Sequence, residues 1–498
     1  MPHVLVAGAR RTGASVVDLL LSLGVGVSVA DADPTQLGTL ADRDVALTTD
    51  LTTLPGGCDL VVASPGFRPD SPLAAAAAAA GVEMIGEPEL AWRLGDDPRV
   101  CPAGPPRWLA ITGTNGKTTT TGMLEAILRV AGQDAVACGN IGLPVIDALA
   151  AGHRVLAVEL SSFQLHWSPS VRPFAGAVLN VAADHLDWHG SMTAYAGAKA
   201  RVLRGAVAVA GLDDPTAAAL LADAPAARRV GFILGEPGPG EFGVLDGRLV
   251  DRTGPEPVVL AAVADVLPPG PPGVANALAA AALARAHGVG AEAVAGGLRT
   301  YVPGGHRGAV VAEANGVRWV DDSKATNPHA AAASLAAHPR VVWVAGGLLK
   351  GADVDDLVIA HRDRLAGVVV LGADRARIAE ALARHAPQVP VVDAGGSDHE
   401  PVTPVPSGPG PMVGVVRAAA RLARPGDVVL LAPAAASMDM FRDYAERGDA
   451  FGAAARAVAA AGTRSAAEPD PGTGDPALDA GTVGDAGEDE GPTGPAVL

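Results

Sequence analysis

Gly113-Thr114-Asn115-Gly116-Lys117-Thr118-Thr119 is the stretch on which the fold turns. The apolar run Trp108 to Thr112 before it reads as a buried strand, and Thr118 to Ala131 after it reads as a helix. A glycine loop between a strand and a helix leaves backbone N–H groups free at the positive end of the helix dipole, which suits phosphate. Lys117 is placed to neutralise the outer phosphates, and the Thr118 hydroxyl to ligate Mg²⁺. Ile111 stands where the general phosphate loop has a glycine, so the bland alternative is an ordinary glycine turn capping a helix.

Working outward, the same alternation recurs. Val4 to Ala7 is an apolar run, Gly8 to Gly13 turns into a helix near Ala14 to Leu23, and Val25 to Ala30 and Leu60 to Ala63 are further strands. This is a doubly wound α/β pattern. Residues 95–106, rich in Gly, Pro and Asp, break the chain before a second unit. Within that unit, Arg154 to Glu159, Ala175 to Asn180 and Ala206 to Ala210 read as strands. A third unit alternates again, with strands expected at Trp319 to Asp321, Val341 to Ala345, Gly367 to Leu371, Val391 to Asp393 and Val428 to Leu431. The expected boundaries are 1–106, 107–308 and 309–462, with a disordered acidic tail over 463–498.

Of the 37 basic residues only four are lysines: Lys117, Lys199, Lys324 and Lys350. A chain that uses arginine for generic positive charge keeps lysine where a compact or deprotonatable amine is needed. Asparagine is nearly as scarce: Asn115, Asn140, Asn180, Asn276 and Asn327 fall near the same motifs, and Asn315 does not. The net charge is −17, and residues 466–498 carry eight acids and no base, which leaves a mildly acidic body of −9. That balance argues against nucleic-acid binding but not against small anions, which are gripped by local dipoles. No apolar run reaches the roughly 18 residues needed to span a bilayer, so no membrane association is expected. The chain opens directly into an apolar strand with no basic leader, and Cys58, Cys101 and Cys138 lack metal-ligand spacing. A cytoplasmic setting is expected.

Three further segments carry chemistry. Glu159 ends a strand and can reach Mg²⁺, although a lone carboxylate there is more often a solvated rim residue. Asp184-His185-Leu186-Asp187 follows the next strand and offers an imidazole to a metal; loop capping is the plainer use, and His189 reads as structural. Lys199 lies on an expected helix, Thr193 to Leu203, whose Arg201 and Arg204 already supply ordinary exposed charge.

Taken together, the chain resembles the Mur ligases, the ATP-dependent amide-forming enzymes of peptidoglycan precursor synthesis. The resemblance rests on Gly113 to Thr119, Glu159 to Leu165, Asp184 to Met192, Gly305-His306-Arg307, Asp322 to Asn327 and Ala436-Ser437, with Gly8 to Gly13 and Ser64-Pro65-Gly66 near the start. Asp322 to Asn327 and Ser161 to Gln164 point to the member that adds D-glutamate. The resemblance implies three domains: an N-terminal Rossmann-like unit that binds the UDP substrate, a central P-loop-type ATPase with a mostly parallel sheet, and a C-terminal Rossmann-like unit.

It also implies roles. Gly113 to Thr119 bind ATP with Asn276, Arg307 and Asp322, and His306 stands beside them. Thr118, Glu159, His185 and Lys199 hold two Mg²⁺, Lys199 as a carbamate. That modification needs a neutral amine, which a guanidinium cannot provide. Lys117, His185, Lys199 and Arg307 are the expected catalytic set. Gly13, Asp31, Ser64, Asn140 and Ser161 are expected on the substrate, with Lys324, Thr326, Lys350, Ser437 and Tyr444 around D-glutamate. The implied reactants are UDP-N-acetylmuramoyl-L-alanine, D-glutamate and ATP, joined by a monomeric enzyme through an acyl phosphate. Departures from the family pattern are Gly273 for an asparagine, Leu348-Leu349 for a more polar pair, and Arg10 for a glycine. The competing readings are a nicotinamide dehydrogenase, a non-catalytic nucleotide-binding relative, and a sibling ligase such as a folylpolyglutamate synthetase or a diamino-acid-adding enzyme.

Overall fold

A computed structural model describes residues 2–395 and 410–465. Three sheets follow one another along the chain. The first is all parallel, in the order Ala46–Thr48, Gly26–Ala30, His3–Ala7, Leu60–Ala63, Glu83–Gly86. Its strands are short apolar runs because helices cover both faces, and Leu5 and Val61 are wholly buried. The strand order reverses between His3–Ala7 and its neighbours, so the turns after Ala7, Ala30 and Ala63 open on one rim, where an α/β sheet binds ligands.

The second sheet has nine strands. Its parallel part runs Glu241–Leu245, Arg228–Phe232, Val207–Gly211, Ala175–Val178, Arg107–Thr112, Val155–Glu159, Ala135–Gly139. The expected strands are present. The sequence reading missed Ala135–Gly139, Arg228–Phe232 and the antiparallel meander Glu241–Leu245, Arg248–Asp251, Val258–Ala262. The meander strands are four or five residues long and joined by a tight turn at Asp246-Gly247, both at positive φ. They lack a long apolar run because they are short and Glu241, Arg248 and Asp251 interrupt the apolar residues.

The third sheet orders Ala309–Ala314, Val317–Asp321, Val428–Leu431, Val341–Gly346, Leu365–Leu371, Val391–Asp393. Its outer strand, Ala309–Ala314, is antiparallel and largely exposed, which is why it carried no buried-strand signal. At the centre Trp343 is fully buried and donates its indole N–H to Ala432 O at 2.7 Å. The last helix, Tyr444–Ser465, lies along this sheet with Phe451 buried near Trp319. It carries the chain three residues into the expected acidic tail, over 463–465; the rest of that tail lies outside the described residues.

The turn Arg201–Arg204, which directly follows helix Met192–Ala200, presses onto strand Ala175–Val178. The approach is close enough that a Cβ at Gly176 would sit 1.9 Å from Val202 O. A turn held this near the sheet anchors the C-terminal end of the helix that carries the buried Lys199. We predict that Gly176→Ala costs about 1–3 kcal/mol of stability, the usual range for overpacking. The measurement is a lower denaturant midpoint at unchanged m value.

Candidate active site

The strand Arg107–Thr112 delivers Gly113 to the centre of the second sheet, and helix Lys117–Val130 departs from it. Gly116 caps that helix at φ +86, and a Cβ there would meet Asn276 Oδ1 at 2.2 Å. Asn276 is buried in helix Pro271–His287 and accepts from Thr120 Oγ1 at 3.2 Å, so it buttresses the phosphate loop from below. The loop is held on its other side by Asn180, whose Oδ1 accepts from Asn115 N at 2.9 Å and whose Nδ2 donates to Asn115 O. Thr114 Oγ1 bonds Tyr195 Oη at 3.0 Å and accepts from Ala182 N. With its own hydrogen bonds satisfied from behind, the loop presents its remaining groups outward.

Lys117 Nζ donates to Gly113 O and Thr114 O, both at 2.9 Å. Lys199 Nζ donates to the same Gly113 O at 2.7 Å and lies 4.5 Å from the Tyr195 ring centroid. Lys199 is 1% exposed. Burial drives its amine well below the usual lysine range, the Lys117 ammonium pushes the same way, and Asp184 opposes. Burial also lowers Lys117, against the pull of Glu159 and Asp184.

Glu159 ends strand Val155–Glu159 and is 1% exposed. Its Oε1 accepts from Asn140 Nδ2 at 2.7 Å, and its Oε2 is buried without a hydrogen-bond partner. A buried carboxylate oxygen without a donor is costly unless a cation completes it. His185 sits at φ 54, with its ring against Phe163 and its Nε2 3.4 Å from Asp184 Oδ2. Burial holds this imidazole below its ordinary pKa, in the neutral form that ligates metals. Among the described residues no group of three His, Cys, Asp or Glu side chains could hold a metal alone. Mg²⁺ takes one or two protein ligands and completes its shell with water and phosphate oxygens. Glu159 Oε2, His185 and the Thr118 hydroxyl are the donors at hand.

The third domain closes the cleft from the far side. Asp322 accepts a hydrogen bond from Ser334, and burial raises its carboxyl to about 6. Lys324 lies with Nζ 3.9 Å from the Tyr444 ring centroid, and burial lowers its ammonium to about 8. Asn327 caps helix Pro328–Ala336 and pairs with Asn115 across the domains, Nδ2 to Oδ1 at 3.0 Å; His329 Nδ1 lies 2.9 Å from Asn115 Nδ2.

Thr114 to Thr119, Asn140, Glu159, His185, Asn276, Arg307, Asp322, Lys324 and Thr326 all line one cleft of about 750 Å³. Gly113 and Lys199 lie directly behind its phosphate loop. Lys350 and Ser437 are not in its lining; a bridge between Leu348 and Ala436 brings their two loops together. Ser161 is engaged in a capping box with Gln164. Gly13 and Ser64 flank the turn at Gly8 on the first sheet's rim, and Asp31 accepts from Ala9 N at 2.7 Å. Those three lie outside the cleft lining.

Gly273 has a steric reason: a Cβ there would sit 1.8 Å from Pro268 O, so no asparagine fits. Leu349 is buried at 3%, with its N–H on Asp374, which accounts for an apolar residue before Lys350. The sequence reading missed Tyr195 and His329, whose positions carry no motif. It passed over Arg447, one guanidinium among many. The scarcity of asparagine did flag Asn180 and Asn327.

Models of the Mur ligase families match three stretches of the chain. The MurD-like N-terminal domain matches residues 2–86, the Mur ligase middle domain 111–234, and the glutamate ligase domain 306–435. A UDP-N-acetylmuramoylalanine--D-glutamate ligase of Mycobacterium bovis is 56% identical over 477 residues, 91% of this chain and 96% of that protein. The protein of the same name from Rhodococcus jostii is 55% identical over 471 residues, 90% of this chain and 94% of its own length. Among solved structures, the UDP-N-acetylmuramate-alanine ligase of Thermotoga maritima shares the fold at TM-score 0.53 and 17% identity, over 91% of this chain and 98% of that one. A pseudomurein peptide ligase type C from Methanothermus fervidus does so at TM-score 0.54 and 17% identity, over 86% and 96%. With three family domains matched in sequence order and relatives 55–56% identical over nine-tenths of its length, this chain belongs to the Mur ligase family.

Proposed function

We propose that this chain is an ATP-dependent amide ligase that adds D-glutamate to UDP-N-acetylmuramoyl-L-alanine in peptidoglycan precursor synthesis. The observation that carries the reading is the meeting of Lys117, Glu159, His185, Arg307 and Lys324 in one cleft, with Lys199 bonded to the phosphate loop behind it. The names of its close relatives support the choice of D-glutamate. In this reading residues 1–106 bind the UDP moiety, 107–308 bind ATP, 309–462 bind the amino acid, and the enzyme works as a cytoplasmic monomer.

A carboxylate does not acylate an amine at neutral pH, because oxide is too poor a leaving group. The substrate's alanyl carboxylate attacks the γ-phosphoryl of ATP, forming an acyl phosphate and releasing ADP. Gly113 to Thr119 cradle the phosphates, while Lys117 and Arg307 face the charge that spreads over the transferring group. Thr118, Glu159 and His185 would hold Mg²⁺, which supplies Lewis-acid stabilisation of phosphoryl oxygens when bound. Lys199, carried as a carbamate, would add an anionic oxygen ligand and offset the neighbouring Lys117 ammonium. The D-glutamate amine then attacks the acyl carbon, loses its proton, and the tetrahedral adduct expels phosphate. Lys324, Thr326, Lys350 and Ser437 hold the glutamate carboxylates, and Tyr444 steadies Lys324. The third domain over the cleft keeps water from the acyl phosphate.

Phosphate release should require UDP-N-acetylmuramoyl-L-alanine and D-glutamate together. Equal release with another amino acid from a panel would reassign the chain to a sibling activity. Lys199→Arg protein that circular dichroism shows to be folded is expected to lose roughly 100-fold or more in turnover, and to lose a carbamate carbon signal in ¹³CO₂-labelled protein. Near-wild-type turnover would remove the carbamate from the mechanism. A third expectation concerns pH. Lys324 binds a carboxylate only as an ammonium, present below about 8 and lost as pH rises through that value. The kcat/KM for D-glutamate should therefore carry a falling limb above about pH 8, and Lys324→Arg should move that limb upward; a limb unmoved in that variant would assign it to another group.

A further inference from the structure

Arg447 lies in the first turn of helix Tyr444–Ser465 and is 1% exposed, yet its guanidinium touches no carboxylate among the described residues. Nε donates to Ser323 Oγ at 2.9 Å, and Nη2 to Ser323 O at 2.9 Å. Nη1 donates to Ala435 O at 3.1 Å, with a longer contact to Gly346 O at 3.4 Å. These acceptors come from three separate crossings of the third sheet. Ser323 follows strand Val317–Asp321, Gly346 ends strand Val341–Gly346, and Ala435 follows strand Val428–Leu431.

Each acceptor stands at the root of a loop that carries one of the amino-acid-side residues. Ser323 precedes Lys324, Gly346 starts the turn to Lys350, and Ala435 is two residues before Ser437. Three carbonyl dipoles aimed oxygen-first at one point repel one another, and a cation at the focus turns that repulsion into attraction. A planar fork with five donors can serve diverging acceptors, whereas a lysine ammonium would serve fewer and from one point. Space is tight as well: at Gly347, φ +132, a Cβ would lie 2.1 Å from Ala436 O and 3.3 Å from Arg447 Nη1. Burial lowers this guanidinium to about 10, with Asp439 and Asp321 opposing, so it remains charged near neutral pH. The same helix turn supplies Tyr444, whose carbonyl accepts from Ser323 Oγ at 2.8 Å and whose ring lies under Lys324.

We propose that Arg447 is a positioning residue for the amino-acid substrate: one buried guanidinium clasps the roots of the three loops that present Lys324, Lys350 and Ser437, presetting their spacing before D-glutamate arrives. The inference rests on the ligase reading above. Its consequence is selective. ATP binding and acyl-phosphate formation use the second domain and, from the third, Asp322, which is held by Ser334 and by its own N–H on Leu431 O rather than by Arg447, so loosening this clasp should weaken the amino acid's hold and spare the first chemical step.

The test uses the full chain with Arg447→Met, Arg447→Lys and Ser323→Ala, the last removing a single acceptor should the Met variant fail to fold. KM is measured for D-glutamate, ATP and UDP-N-acetylmuramoyl-L-alanine, and the acyl phosphate is trapped with hydroxylamine in the absence of D-glutamate. The expected result is a D-glutamate KM raised about 3–10-fold in Ser323→Ala and more in Arg447→Met, with Arg447→Lys between wild type and Met. KM for ATP and trapped acyl phosphate should stay within about twofold of wild type in folded protein. Unchanged D-glutamate KM in folded variants, or a parallel rise in all three KM values, would overturn the positioning role alone. Wild-type protein that releases no phosphate with D-glutamate would overturn the ligase reading and this inference with it.

Discussion

Two primary amines share the carbonyl oxygen of Gly113, and much of the site follows from that. Lys117 reaches it from the first turn of its own helix, and Lys199 from a helix more than eighty residues on. Two ammonium groups this close in a buried setting repel strongly, so burial and mutual repulsion both press Lys199 toward the neutral amine. Asp184 pulls the other way, and Glu159 Oε2 stays buried without a hydrogen-bond partner. In the proposed reading, the pairing suits this cleft to a polyanion such as the phosphates of ATP.

Holding that pair in place requires close approach between backbones. Gly176 lets the turn that ends the Lys199 helix lie on the sheet, and Gly116 lets Asn276 reach under the phosphate loop. Asn180 and Thr114 then use the loop's inward polar groups, so that its rigidity comes from packing behind the site rather than from the ligand. Preorganisation of this sort is how a site stabilises transferring charge without reorganising during reaction.

The cleft is shared between domains. The Asn115–Asn327 amide pair ties the phosphate loop directly to the helix that follows the Asp322–Asn327 segment. Across the third domain, Arg447 and Tyr444 in one helix turn gather strand ends that are distant in sequence. One element thus serves as the frame for several loops, an arrangement typical of sites built on the carboxyl ends of parallel strands.

Much of this was legible in the chain itself. The alternation of apolar runs with helical stretches gave the doubly wound pattern, because buried parallel strands must be apolar on both faces. The Gly113–Thr119 motif and the rarity of lysine and asparagine marked Lys117, Lys199, Lys324, Asn180 and Asn276, because each does something arginine or a generic polar residue cannot. The meander over residues 241–262 was not legible, since short half-exposed strands leave no strong period. Nor were the capping use of Ser161, the steric exclusion of a side chain at Gly273, or the burial of Arg447, since each depends on which backbone atoms stand a few ångströms away. Sequence alone determined the types of group present and their order along three α/β units. Tertiary structure decided which amine lost its water, which carboxylate oxygen was left without a donor, and which arginine became a clasp, because desolvation and convergence are set by neighbours that only folding brings together.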